Sequence, residues 1–271
     1  MDPSAGQRIR LASFNVHCGV DGWGRPFDVV GACAALDADL LVLQESWRPD
    51  GDASSTAATV AEALGYRWQE EELAHGRLYG PNPDADEGWG PPPGPTHDTL
   101  QLDGYRRRTA TAVRQQRPFG TGTFNLALLS RVPLVDTGTV ILGRLPRDPA
   151  RRLVLTASVS MDGGPLQVFG THMSHLLYRS PVHYLALRAA VPGPDTAAVV
   201  AGDMNLWGPG VVGFLGQGWR RAVRGRTWPS SRPHSQLDHI VVTRPVTVAE
   251  ARVAADSGSD HRPVVATLGL R

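Results

Sequence analysis

The chain has 271 residues, 41% hydrophobic and 20% charged, with a formal net charge of +1. That length can bury a substantial core. The near-neutral balance excludes a whole-molecule field that would draw the chain onto nucleic acid or anionic lipid. All 27 basic residues are arginine, and the two cysteines, Cys18 and Cys33, are too few for a disulfide framework.

Residues 1–8 have no apolar stretch of the signal-peptide kind, and no run reaches bilayer-spanning length, so the expectation is a soluble cytoplasmic protein. Arg8 to Phe14 alternates as a strand and ends in the polar turn Asn15-Val16-His17-Cys18-Gly19. Pro26 to Leu36 reads as a helix with proline near its first turn. Leu40 to Leu43 is a continuous apolar run suited to a buried strand, and it stops at Gln44-Glu45. Ser54 to Leu64 reads as a second helix capped by Ser54 or Ser55, and Gly65 to Trp68 opens another strand.

From Gly80 to Asp98 six prolines lie among glycines and acids, which predicts a variable loop inside one domain spanning residues 1–271. Phe124 to Leu129 and Val132 to Leu142 read as strands joined at Ser130-Arg131. Leu153 to Ser160 turns through Asp162-Gly163-Gly164 into a strand ending at Gly170-Thr171-His172. Pro181 to Val191 reads as a helix. Ala197 to Ala201 is a buried strand ending in Gly202-Asp203-Met204-Asn205, and Leu237 to Val242 is a further strand with Asp238 near its start. The polar knot Ser259-Asp260-His261-Arg262-Pro263 precedes a terminal strand, Val264 to Leu268. Many strands with few helices between them predict two stacked sheets with helices outside.

Asn15, Glu45, His172, Asp203, Asn205, Asp238, Asp260 and His261 each stand at the end of an apolar run. One such residue is usually a turn or a cap; eight form a pattern. Glu45, Asp203 and Asp260 are hard oxygen donors, with Asn15 and Asn205 as neutral ones, which suits Mg²⁺ or Mn²⁺ rather than zinc. A hard metal, an acid that activates water and an imidazolium together suit hydrolysis of a phosphoester.

The segments Ser13-Phe14-Asn15, Leu43-Gln44-Glu45, Gly170-Thr171-His172, Gly202-Asp203-Met204-Asn205, Gln236-Leu237-Asp238-His239 and Ser259-Asp260-His261-Arg262-Pro263 occur in this order. In that order the chain resembles the endonuclease/exonuclease/phosphatase superfamily. The resemblance covers nearly the whole sequence. It implies a DNase I-like α/β fold, a four-layer αββα sandwich of two mostly antiparallel sheets with outer helices. It also implies that Glu45 holds Mg²⁺ with Asn15 and Asp260 beside it, and that Asp203 orients or deprotonates the attacking water. Asn205 would hold phosphate or nucleophile, and His261, oriented by Asp238, would face the phosphate. His172 would be a second imidazole at the phosphate or the leaving oxygen.

The resulting expectation is a nuclease-type, Mg²⁺-dependent phosphodiesterase, with Mn²⁺ as substitute and no obligate protein partner. The alternatives are a phosphatase or phospholipase-type enzyme acting on a small organic or lipid phosphate, and a non-catalytic binding module. Two arginine clusters, Arg220-Arg221-Arg224-Arg226 and Arg106-Arg107-Arg108 with Arg114 and Arg117, make nucleic acid a candidate partner. Arg226 and Trp228 are the substrate-binding candidates, while Trp23, Trp47, Trp89 and Trp207 are candidates for an apolar wall.

Overall fold

The structure, a computed structural model, describes residues 6–81, 100–103, 116–176 and 180–271. The expected loop beyond residue 81, Trp89 and the arginines at 106–108 and 114 lie outside these residues.

Seven strands form the first sheet: β1 (Ile9–Asn15), β2 (Leu40–Pro49), β3 (Arg67–Pro81), β4 (Leu100–Leu102), β5 (Gln116–Ser130), β12 (Val246–Val253) and β13 (Val264–Leu270). Their order is β12-β13-β1-β2-β5-β3-β4. Six form the second: β6 (Val135–Gly143), β7 (Arg152–Met161), β8 (Gly164–His172), β9 (Ala198–Asp203), β10 (Arg220–Arg221) and β11 (Asp238–Val242), in the order β10-β11-β9-β8-β7-β6. Within each sheet one neighbouring pair is parallel, β1 with β2 and β8 with β9, and the other pairs are antiparallel.

The sheets pack face to face through one cluster that draws Leu11, Leu40, Val42 and Leu126 from the first and Leu153, Val168, Val199 and Ile240 from the second. Alternation along each strand sends the intervening residues outward, where helices cover them. The helices α1 (Val29–Ala34) and α2 (Thr56–Leu64) close the outside of the first sheet over Phe14, Leu41 and Leu43. Similarly, α3 (Pro181–Ala190) and α4 (Gly208–Leu215) close the second over Val154, Val200 and Val241. This is the layered sandwich expected from the sequence. Both cysteines are free and buried, and among the described residues no helix is long and apolar enough to cross a membrane.

Several local readings change. The helix read from Pro26 begins only at Val29, because Asp28 caps it through a 2.8 Å bond from the Gly31 N–H, while Pro26 bridges back to Val20. Ser55, not Ser54, caps α2, accepting from the Ala58 N–H at 3.1 Å. The strand read as stopping at Gln44-Glu45 continues to Pro49 through a bulge. The segments on either side of Ser130-Arg131 do not form a hairpin: β5 belongs to the first sheet and β6 is the edge of the second. The helix α4 was not expected, since three of its eight residues are glycine. Burial of Val211 and Leu215 against the second sheet outweighs that propensity.

One buried histidine ties the core to pH. His239 on β11 is fully enclosed, and its Nε2 donates to Leu206 O at 3.0 Å and Gln236 O at 3.2 Å. Burial lowers its pKa from 6.5 to about 4. In the acid range the unfolded chain therefore binds a proton that the folded chain refuses. Its contribution to stability is intact above 6.5 and falls away as pH drops toward 4, by about 3 kcal/mol. Urea unfolding between those two pH values checks this: His239→Gln, which keeps a donor, flattens the slope of stability against pH. An unchanged slope removes His239 from the acid response.

Candidate active site

The first sheet supplies one half of the site because of register. Asn15 ends β1 opposite Gln44, and β13 begins beside the same end, with Ser13 paired to Val264. Asp260 and His261, just before β13, therefore arrive next to Asn15. Ser259 fixes that approach by donating from Oγ to Asn15 O at 2.7 Å. Glu45 is the extra residue of the β2 bulge, between Gln44 opposite Leu126 and Ser46 opposite Asn125. Its φ is 60°, a left-handed conformation usually left to glycine. Both flanks of the bulge are held by polar pairs, one buried and one partly buried. Gln44 Nε2 donates to Ser13 Oγ at 3.1 Å, and Ser46 Oγ donates to Glu70 Oε1 at 2.6 Å. Glu70 also accepts from Ser55 Oγ at 2.6 Å and Asn125 Nδ2 at 3.2 Å. These contacts hold the strained Glu45 in place.

The second sheet supplies the other half in a single row. His172 at the end of β8 pairs with Asp203 at the end of β9, and Asp203 pairs with Asp238 at the start of β11. Close approach of β8 and β9 requires Gly202, since a Cβ there would lie 1.9 Å from Thr171 O. Asn205 turns the chain back with φ 48°, and its N–H donates to Asp203 Oδ1 at 2.8 Å.

Asp203 is the meeting point. Its Oδ2 accepts from Asn15 Nδ2 at 3.1 Å and lies 3.6 Å from His172 Nε2 and 3.8 Å from His261 Nε2. Burial, aided by the charge of Asp238, raises its pKa from 3.8 to about 7, against the opposing pull of His261 and the hydrogen bonds from Asn205 and Asn15. Burial likewise raises Glu45, whose Oε1 accepts from Asn15 Nδ2 at 2.9 Å. The oxygen of Asn15 accepts from the His17 N–H at 3.0 Å, so its amide group serves the two carboxylates as a donor.

His261 Nδ1 lies 2.9 Å from Asp238 Oδ2. Burial alone would lower its pKa, but Asp238, Asp260 and Asp203 together raise it well above the usual histidine value, so it stands as a cation with Nε2 directed toward Asp203. His172 is the opposite case. Burial, with help from the charges of Arg152 and His261, holds it well below 6.5, and it is neutral. Its Nε2 lies 3.3 Å from Asn205 Nδ2, which also donates to Met173 O at 2.9 Å. Asp260 Oδ2 accepts from Trp228 Nε1 at 3.3 Å, and Asp260 Oδ1 lies 3.4 Å from His17 Nδ1.

Could these residues hold a divalent cation? Asp203, Asp238 and His261 each place one ligand atom within 4.8 Å of the others. The 2.9 Å bond inside that group, however, makes it a hydrogen-bonded relay rather than a cage. Glu45 and Asp260, with Asp203 nearby, are hard oxygen donors that line the cleft, and a cation among them would stabilise the Glu45 carboxylate against the burial, and the charge of Asp260, that raise its pKa. Carboxylate oxygens of this kind are the ligands that hard divalent cations take.

The cleft over these groups is about 420 Å³. Six of the eight strand-end residues singled out from the sequence line it, and Asn15 and Asp238 stand behind them, bonded to Glu45, Asp203 and His261. Trp228 lines the cleft, whereas Arg226 does not: it is exposed and donates to Pro233 O at 3.5 Å. Trp47 is buried in the core, and Trp207 stands 64% exposed at the start of α4. Sequence reading missed His17, Phe124, Leu100, Leu102 and the ion pair of Arg152 with Asp148, all of which line the cleft. Arg152 Nε donates to Asp148 Oδ2 at 2.8 Å, and Nη1 donates to His172 O at 3.3 Å. The spacing Asp148-Pro149-Ala150-Arg151-Arg152 was the available signal, but in a loop it has no preferred geometry.

The sequence model of the endonuclease/exonuclease/phosphatase family matches residues 12–261, and no curated protein matches the sequence. An endonuclease/exonuclease/phosphatase from Beutenbergia cavernae superposes at TM-score 0.64 with 21% identity, covering 97% of this chain and 72% of that one. A family protein from Leptotrichia buccalis gives 0.65 with 14% identity, covering 97% and 99%. A mannosyl-6-phosphatase from Bacteroides thetaiotaomicron gives 0.62 with 17% identity, covering 97% and 100%.

Proposed function

The chain belongs to the endonuclease/exonuclease/phosphatase family, and from that membership and the site's geometry we propose that it hydrolyses a phosphoester by attack of water. The observation that carries the reading is Asp203, a buried carboxylate with a pKa near 7 lying within 4 Å of two imidazoles of opposite charge state. A general base works best when its pKa lies near the working pH.

In this reading Asp203 takes the proton of the attacking water at Oδ2, while the Asn205 N–H holds Oδ1 and Asn15 fixes the carboxylate plane. His261, held by Asp238, offers Nε2–H to the phosphate oxygens as negative charge builds on them. Neutral His172 and the side chain of Asn205 face the same space and contact the phosphate or the leaving oxygen. Glu45 and Asp260 are the groups that would hold Mg²⁺, with Mn²⁺ as substitute, and Asn15 serves them by orienting Glu45. Bound there, the cation would neutralise phosphate charge and polarise the phosphorus centre.

The bond broken is that of a phosphodiester. A second reading, a phosphatase or phospholipase-type reaction on a small or lipid phosphate, is favoured by the apolar side of the cleft, where Leu100, Leu102, Phe124 and Leu237 stand. Protein stripped with chelator and assayed on phosphodiesters and phosphomonoesters, with and without added Mg²⁺ or Mn²⁺, tests the proposal. Hydrolysis that vanishes on chelation and returns with metal is expected. Full activity in excess chelator removes the cation from the mechanism, and no hydrolysis of any phosphoester removes the function.

A further inference from the structure

The cleft has two unlike sides. Its base is polar and acidic, with Glu45, Asp203 and Asp260. Its wall is hydrocarbon: Leu100 and Leu102 on β4 remain partly exposed, while Phe124 on β5 lies tilted against His172 with ring centroids 5.5 Å apart. Partly exposed leucines beside a reactive base gain free energy when a ligand group covers them.

Cationic side chains in the cleft are scarce. Besides the histidines, Arg152 is the one cation lining it among the described residues. Its guanidinium is already bound to both oxygens of Asp148 and to His172 O. Three arginines of the described cluster are engaged elsewhere: Arg220 Nη2 donates to Val246 O, Arg221 Nη1 to Gln236 Oε1 and Arg226 Nη1 to Pro233 O, and neither they nor Arg224 line the cleft. Against the described lining, a second phosphate would meet leucine or carboxylate, a costly placement for an anion.

Resting on the hydrolase reading above, we infer that the site takes a phosphoester bearing a single phosphate and a compact apolar or aromatic group, which packs on Leu100, Leu102 and Phe124. The 420 Å³ of the cleft is the size of a small-molecule site, and the apolar wall is the specificity determinant. Hydrolysis is balanced in the ordinary way: water adds its oxygen to phosphorus, the ester oxygen leaves with a proton, and no other reactant is needed.

The test is a series of p-nitrophenyl phosphodiesters whose second ester group is methyl, butyl or phenyl, assayed with Mg²⁺. The leaving group is constant, methyl and butyl leave phosphorus electronically alike, and comparing the parent with its leucine variants cancels the phenyl group's own electronic effect. From methyl to phenyl, kcat/KM rises about 10- to 100-fold, the worth of burying a ring. Leu102→Asn, and separately Leu100→Ser, pull the phenyl-to-methyl ratio toward one. A misfolded fraction lowers both rates alike and leaves the ratio untouched, so a folding defect cannot imitate the result.

A flat series in the parent chain overturns the inference and leaves the hydrolase reading standing. So does a single-stranded oligonucleotide cleaved with higher kcat/KM than the phenyl ester. Failure to hydrolyse any of these diesters or the oligonucleotide overturns the inference, and failure on phosphomonoesters as well overturns the hydrolase reading.

Discussion

Replacing Asp203 with asparagine lowers kcat by on the order of 10³-fold while the protein stays folded. The substitution keeps the shape of the side chain and removes its capacity to take a proton. It also sets an amide where the carboxylate accepts from Asn15 Nδ2 and the Asn205 N–H, and asparagine can still accept through its one oxygen. Stability should not fall with activity. Burial already disfavours the charge on Asp203, pushing its pKa to about 7, so a neutral side chain removes a desolvation cost. Steady-state kinetics and a thermal unfolding midpoint on the same preparation check both halves. A kcat within tenfold of the parent's would show that another group takes the water's proton. A lost fold with proportionally lost activity would show that Asp203 is structural.

The second large effect falls on the His261–Asp238 pair. Removing the cation that faces the phosphate, by His261→Gln, lowers kcat by about 10²- to 10³-fold. Glutamine is preferred to alanine because it leaves a donor near Asp238, whose Oδ1 already has no hydrogen-bond partner. A buried carboxylate left wholly unpaired would cost about 3–5 kcal/mol and confuse folding with catalysis. Asp238→Asn costs less, roughly 10- to 100-fold, because Asp238 acts through the imidazole it orients. The double variant should then be no slower than His261→Gln alone. Multiplying losses would mean that Asp238 does something besides hold His261.

Why could a chain this long give up so much of its site before its fold was known? Asn15, Glu45, His172, Asp203 and Asp238 each interrupt or end a run of apolar residues, and an apolar run that stops at an acid or amide is visible in one dimension. Two layers of strands with helices outside could also be read, because strand periodicity is local. So could the alternation of β7 and β8 around Asp162-Gly163-Gly164. The strand β12 was missed although Val246 to Val253 carries a comparable, weaker pattern.

Other features were beyond reach. Nothing local marks Gln44-Glu45-Ser46 as a bulge rather than a strand end; the extra residue is counted only against β5, whose register lies some eighty residues away. Nothing local separates β5 from β6, which a short connection sends into different sheets. The basic cluster ending at Arg226 suggested an anion site by composition, but Arg220, Arg221 and Arg226 donate to backbone carbonyls and Gln236. Conversely, Leu100 and Leu102 look like any leucines, and Arg152 like any arginine.

The sequence by itself determined the chemistry: which side chains end the strands, and therefore that hard oxygen donors and imidazoles would gather at one end of a two-sheet sandwich. The tertiary structure decided their charge states, since burial, neighbouring carboxylates and an ion pair make His261 a cation, His172 neutral and Asp203 a base near neutrality. It also decided what surrounds them among the described residues, a wall of Leu100, Leu102 and Phe124. Residue type is written along the chain, but solvation and the distance to the next charge are properties of packing, and those two quantities set a pKa and choose a substrate.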